Sequence, residues 1–287
     1  MNFWVLNKNM NIIDGKKIAA EVLAEVKDGV ARLSFEPVFC DVLVGDDFAS
    51  KKYVEMKAKK AQSVGIKFYH ADFPLSVTTD ELVTAISKLN KVPYMCGIIV
   101  QLPLPAHLDE ARVLAAIDPE LDVDALGWVT NEKFYKSESA LKLPTALACT
   151  RILDSLGIDL EHKHIVVLGQ GKLVGKPVTK LLTERGLTPI PVKSDTPNQI
   201  EILQKADVVI SGIGHGNYIK GDMVKDGVVL IDAGTSESGA GLVGDVDMDS
   251  VKDKATYLSP CPGGVGPVTV AMLLANVLQV AQQKHNA

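Results

Sequence analysis

The chain has 287 residues, 47% of them hydrophobic and 23% charged, with a formal net charge of -5. That length suits one large or two medium domains, and the scattered basic residues argue against a nucleic-acid footprint. Four cysteines lie far apart with no CxxC pair, which argues against a disulfide framework and suits reduced thiols in a cytoplasmic protein.

The start carries an apolar patch of only Phe3, Trp4, Val5 and Leu6 with no basic region before it, so no signal peptide is expected. No later apolar run is expected to be long enough to span a bilayer, so no membrane partner is expected either. Aromatic residues make up only 5%, and the apolar runs are rich in Val, Ile and Leu. That composition is the one parallel sheets covered on both faces require, and it predicts an α/β protein.

Asp14, as N-cap, and Gly15 open a predicted helix with Ile18, Val22, Val26, Val30 and Leu33 on one stripe. A strand is predicted over 37–44, where Val38, Cys40, Val42 and Val44 alternate with Phe39, Asp41 and Leu43 before Gly45. The next helix has Ser50, Val54, Lys57, Ala58 and Ala61 at helical spacing and closes near Gly65. Tyr53 and Lys57 are four apart, so they share a helix face just past the carboxyl end of a strand, where open α/β sheets bind ligands. Spacing alone favours the plainer reading, a solvated lysine face.

A strand from Ile66 to Asp72 follows, then a helix capped by Thr78 or Thr79 with Leu82, Ile86 and Leu89 inside. The run Cys96 to Gln101 is an apolar strand that Pro103 and Pro105 stop. Its terminal Gln101 either points into a site at the strand's carboxyl end or bonds its own loop. This β-α-β-α-β order predicts a parallel sheet. Residues 118–125 hold four carboxylates, Asp118, Glu120, Asp122 and Asp124, without EF-hand spacing or a neighbouring His, so no metal is expected. A helix from about Pro144 to Leu156, ending at Gly157, is a candidate hinge.

A second α/β unit begins with a strand at His164–Leu168 that runs into Gly169, Gln170, Gly171, Val174 and Gly175 and a helix through Arg185. A strand, glycine turn and helix suit a dinucleotide pyrophosphate, although the third glycine comes one residue later than in G-x-G-x-x-G. Further strands are predicted at 188–192, Asp207–Ser211 and Val228–Asp232, the last two leading to Gly212 and Gly234. His162 and His164 flank a buried strand and read as polar loop and strand start. Ser259–Pro267 packs prolines and glycines into a stiff loop where backbone can approach a ligand, before a helix to about Val280.

These pieces resemble the methylenetetrahydrofolate dehydrogenase/methenyltetrahydrofolate cyclohydrolase family over nearly the whole length. The matching motifs are V-G-D-D-x-A-S-x-x-Y-V-x-x-K at 44–57, V-Q-L-P-L-P at 100–105, D-V-D at 122–124 and G-x-x-x-x-V-G-x-P at 169–177. K-G-D-M-V at 220–224, V-G-D-V-D at 243–247 and P-G-G-V-G-P at 262–267 match as well. The resemblance implies a folate-binding domain over 1–147, completed by the final helix at 270–287, and a Rossmann-like NADP domain over 148–269, with a cleft between them. It implies NADP-dependent oxidation of 5,10-methylenetetrahydrofolate, hydrolysis of the methenyl product to 10-formyltetrahydrofolate, and a homodimer.

As catalytic residues the resemblance carries over Lys57, Tyr53, Gln101 and Asp124. These four, with Leu102, Pro103, Pro262, Gly263 and Gly264, would bind the folate. The cofactor site would comprise Thr145, Gly169, Gln170, Gly171, Val174, Gly175, Lys193, Ser194, Gly212, Thr235 and Thr269. Departures from the family pattern gather on the cofactor side. P-C-T-P-x-G reads Leu143 to Ala148 and keeps only Thr145, and an Arg-Ser pair is Gln170-Gly171. A His is Lys193, V-G-I-N reads Ala233 to Ser236, and V-D-G reads Val123-Asp124-Ala125. They bear on coenzyme choice, with NAD as the alternative, and on dehydrogenase rate. The competing readings are a dehydrogenase with weak or lost cyclohydrolase, a silent folate- or nucleotide-binding protein, and a shikimate- or amino-acid-type dehydrogenase.

Overall fold

The structure is a computed structural model that describes residues 10–238 and 241–286. The apolar patch at Phe3–Leu6 lies outside the described residues. The chain divides into two compact units, one of residues 20–144 with 270–286 and the other of 10–19 with 145–269.

In the first unit, α1 (Gly15–Val30) leads to β2 (Val38–Val44), after the short β1 (Asn11–Ile12) of the other unit. Asp14 caps α1, its Oδ1 accepting from the backbone N–H groups of Lys16 and Lys17. Next come α2 (Phe48–Ser63), β3 (Lys67–Phe73), α3 (Thr79–Leu89) and β4 (Met95–Val100). The strands form a three-stranded parallel sheet in the order β3-β2-β4, as the β-α-β-α-β reading predicts. Every residue of β2 and of β4 is buried. A capping box between Thr78 and Glu81 starts α3 and turns Leu82, Ile86 and Leu89 inward.

The stretch after β4 holds two short helices, α4 (Glu110–Ala115) and α5 (Trp128–Tyr135). The loop between them docks on β4, with Ile98 N donating to Leu121 O at 2.8 Å.

The second unit begins at α6 (Pro144–Ser155) and continues through β5 (Ile165–Leu168), α7 (Gly175–Glu184), β6 (Ile190–Val192), α8 (Gln199–Leu203) and β7 (Val208–Ser211). It then runs through β8 (Val228–Asp232), a hairpin of β9 (Ser236–Ser238) and β10 (Gly241–Val243), α9 (Met248–Val251) and β11 (Ala255–Ser259). The six-stranded parallel sheet has the order β1-β11-β8-β7-β5-β6. Pro191 sits on the edge strand β6, where a missing N–H costs no ladder bond. Residues 10–19 group with this unit because β1 pairs with β11.

The last helix, α10 (Val265–His285), is longer than expected. By length and composition its 21 residues are apolar enough to cross a membrane, which corrects the expectation that no run is. In this fold it is a core helix. Val270, Ala271, Leu274, Val277 and Ala281 are buried, and Asn276 donates from Nδ2 to the carbonyls of Val123 and Lys142 at 2.7 and 2.8 Å.

Candidate active site

α2 begins where Asp47 accepts from Ser50 N at 2.8 Å, and the chain leaves it through Gly65 at φ +82°. The inward face carries Val54, Ala58 and Ala61, and Lys57 lies in the same stripe at 2% exposure. A lysine so deep must have polar partners. Its Nζ lies 2.8 Å from Gln101 Oε1 and 2.6 Å from Asp41 Oδ2, and 5.0 Å from the centre of the Tyr53 ring.

Gln101 follows directly after β4, which ends one residue before the expected strand end, and its backbone N–H donates to Val42 O at 2.9 Å. Its Nε2 donates to Leu102 O at 3.1 Å, which aims Oε1 at the lysine. Both readings of Gln101 therefore hold at once: one end of the amide bonds the loop and the other enters the site.

The acidic loop is sorted by its hydrogen bonds. Asp122 is buried and accepts from Gly127 N at 2.8 Å and Leu126 N at 3.3 Å, so it is a loop clasp. Ala125 takes φ +55° to make the turn. Asp124 is left as the carboxylate of the site, in a loop that Asn276 tethers at Val123. Desolvation pushes the Asp124 carboxyl up to about 7, against the lowering by Lys57 and with the Asp122 and Asp41 charges adding to the rise. Tyr53 keeps 37% of its surface exposed, yet desolvation, then Asp124 and Asp41, push its phenol up to about 12. Lys57, Tyr53, Gln101 and Asp124 thus gather in the first unit. Leu102 adjoins them through its bond with Gln101, and Pro103 is the exposed residue after it.

The residue that sequence reasoning missed is Asp41, fully buried in the middle of β2. The signal was present, because it is the one charged side chain in an otherwise apolar strand. β2 is buried along its whole length, so the carboxylate has no outward face to turn to.

In the second unit the glycine turn is built by close backbone contact. A Cβ at Gly175 would lie 1.6 Å from Gly169 O, and one at Gly212 would lie 2.5 Å from a Val174 methyl. Gly169 has φ +82°. Nothing lies within 4 Å of a Cβ at Gly171, so the outside of the turn is open. No side chain caps the N-terminus of α7, where Lys176 N donates to Gly171 O at 3.2 Å and Pro177 carries no N–H. Gln170 turns back instead, its Nε2 donating to Val167 O at 3.1 Å.

Lys193 and Ser194 are exposed after β6, in a loop fixed by Gln199, which donates to both of their carbonyls. Gly212 and Thr235 follow β7 and β8, so these groups sit at the carboxyl ends of four neighbouring strands. Thr145 lies in the first turn of α6, and Thr269 donates its hydroxyl to Val265 O within α10. Pro262, Gly263 and Gly264 form the loop before α10, with Gly263 at φ +106° and Gly264 N donating to Pro260 O at 2.7 Å.

The V-G-D-V-D segment is a clasp rather than a ligand site. Asp245 accepts from Ser211 Oγ, Ile213 N and His215 N, and Asp232 accepts from Gly234, Asp245 and Val246. Among the described residues no group of three or more His, Cys, Asp or Glu is placed to hold a metal.

Comparison with known proteins matches this geometry to one family twice. The profile described as tetrahydrofolate dehydrogenase/cyclohydrolase, catalytic domain, matches residues 13–124, and the one for its NAD(P)-binding domain matches 144–285. Bifunctional protein FolD of Moorella thermoacetica is 42% identical over 276 residues, covering 95% of this chain and 99% of that protein. The FolD of Halothermothrix orenii is 41% identical over 280 residues, covering 96% and 98%. Among solved structures, the bifunctional FolD of Campylobacter jejuni superposes with a TM-score of 0.91 at 35% identity, covering 96% and 99% of the two chains. The Trypanosoma brucei FolD, solved with NADP cofactor and an inhibitor, gives 0.90 at 34% identity, covering 97% and 99%. With both of its domains matched and full-length relatives on either measure, the chain belongs to the tetrahydrofolate dehydrogenase/cyclohydrolase family.

Proposed function

We propose that the chain oxidises 5,10-methylenetetrahydrofolate with NADP⁺ and hydrolyses the methenyl product to 10-formyltetrahydrofolate, with Lys57 moving the proton in the second step. The observation that carries the reading is the buried Lys57 held between Gln101 and Asp41. In the first step a hydride leaves the methylene carbon and the folate nitrogens stabilise the cation, so the step asks the protein for orientation. Bound NADP⁺ supplies the hydride acceptor. In the second step water adds to the methenyl carbon, the ring opens and one proton is released. Lys57 takes the proton from that water and returns it as the ring nitrogen leaves.

Tyr53 and Gln101 orient Lys57 and the folate, and Asp124 accepts from the N–H donors of the pterin. Leu102 and Pro103 line the folate site. The open glycine turn and the uncapped α7 suit a pyrophosphate, with Thr145, Val174, Gly212, Thr235 and Thr269 around the cofactor. Lys193 and Ser194 offer an amine and a hydroxyl to a 2′-phosphate, which supports NADP over NAD.

The working form is a cytoplasmic homodimer. The free state of Cys40, Cys96, Cys149 and Cys261 supports a reducing compartment. Light scattering that gave a monomer mass at micromolar protein would remove the dimer.

Turnover in ¹⁸O-water tests the chemistry. The expected product is 10-formyltetrahydrofolate carrying one ¹⁸O, with one reduced nicotinamide formed for each. Label entering no faster than in the uncatalysed hydrolysis would remove the hydrolytic half of the proposal.

A further inference from the structure

An aspartate at the centre of β2 is costly. The strand is buried along its whole length, and Asp41 itself is fully buried. Its Oδ2 lies 2.6 Å from Lys57 Nζ as an ion pair, and neither carboxyl oxygen has a hydrogen-bond partner among the described residues. Replacing such a pair by apolar residues is often neutral or stabilising, so stability alone gives no reason to keep it. Its directly opposite neighbours, His70 on β3 and Ile99 on β4, do not relieve it by hydrogen bonds. The carboxylate is therefore spent on the lysine.

The arrangement around the amine shows what that does. Lys57 Nζ donates to Gln101 Oε1 at 2.8 Å, and the Asp41 carboxylate lies 2.6 Å from it as an ion pair. An anion this close favours the ammonium over the neutral amine. We propose that Asp41 is a positioning residue for Lys57: its negative charge holds Nζ beside Gln101 and keeps the proton there between turnovers.

The other ionisable groups around the pair are Tyr53 on α2, His70 and Asp72 on β3, and Asp124 in the loop after β4. Neither of the other carboxylates, Asp72 and Asp124, is as near Nζ. The inference rests on Lys57 as the proton carrier proposed above. That reading stands or falls on the parent enzyme and on Lys57 variants, whereas this one is decided on Asp41.

The test is the pH profile of methenyltetrahydrofolate hydrolysis in Asp41→Asn and Asp41→Leu. Removing an anion this close disfavours the ammonium, so the acidic limb of kcat/KM moves to lower pH by about 1–3 units in both variants. The kcat for hydrolysis falls by about tenfold or more, with KM changed by less than about threefold and hydride transfer nearly kept. A merely structural Asp41 would shift the melting temperature and leave the limb in place. An unmoved limb, or one moved to higher pH, overturns the proposal.

If neither variant accumulates as folded protein, the parent enzyme decides by NMR of the Lys57 ammonium nitrogen and the Asp41 carboxyl carbon. Resonances that titrate together support the proposal, and independent titrations overturn it.

Discussion

Replacing Lys57 by Met removes the amine while keeping most of its stem volume, so packing against Val54 and Ala61 survives. Two consequences follow. Hydrolysis of the methenyl substrate loses its proton carrier and falls by about 10²–10⁴-fold. Hydride transfer uses no side-chain proton and falls by less than about tenfold.

The second consequence is thermodynamic. Asp41 loses the ammonium 2.6 Å from it, and an uncompensated buried charge costs about 3–5 kcal/mol. Asp41 escapes part of that cost by holding a proton. Its carboxyl is already raised by desolvation, and Lys57 is the main influence lowering it again. In the variant the folded-state value rises further above the unfolded one. A raised carboxyl costs nothing below the unfolded value of about 3.9, and stability is then lost at about 1.4 kcal/mol per pH unit as pH rises toward the folded value.

The deficit against the parent is therefore small near pH 4.5 and largest near neutrality. Separate assays with methylene and methenyl substrate, and urea unfolding at the two pH values, measure both halves. Equal losses in the two chemical steps would make Lys57 a positioning residue. A stability deficit independent of pH would mean that Asp41 is not its charged partner.

Three further outcomes are expected. Comparing kcat/KM for the two coenzymes gives a modest preference for NADP, and equal values or a preference for NAD refute it. Asp124→Asn removes a carboxyl held at about 7, whose ionisation costs stability between roughly pH 4 and 7, so urea unfolding shows a gain on the order of 2–4 kcal/mol at pH 7 and little at pH 4. The same variant binds folate more weakly, because one acceptor for the pterin becomes an amide. Gly175→Ala forces a Cβ against Gly169 O, so NADP affinity measured by calorimetry falls by at least about tenfold, and an unchanged affinity would place the pyrophosphate elsewhere.

The parallel sheet of the first unit was legible because β2 and β4 are largely apolar runs rich in Val, Ile and Cys, separated by helices with clear caps, such as Thr78 with Glu81. Tyr53, Lys57 and Gln101 were legible for a related reason, since helical spacing and strand ends fix where such side chains point. β1 and β11 were not. Asn11–Ile12 is too short to carry a pattern, and Ala255–Ser259 mixes small and polar residues that only pairing with β8 makes a strand. The exposed hairpin of β9 and β10 likewise shows no apolar period.

Within the site, the four carboxylates of the acidic loop look alike in sequence. Only the bonds from Leu126 and Gly127 to Asp122 separate the clasp from Asp124. Asp41 was overlooked for a different reason: the run around it reads as apolar, and its one carboxylate has no partner within the strand to mark it.

The central claim is that one chain carries out both the oxidation and the hydrolysis. Mixing the protein with 5,10-methylenetetrahydrofolate and NADP⁺, and following reduced nicotinamide and the methenyl intermediate together, tests it most directly. The account predicts steady formation of NADPH with methenyl as a minor transient while 10-formyltetrahydrofolate accumulates. No reduction of the nicotinamide, or methenyl accumulating mole for mole with NADPH, would contradict it.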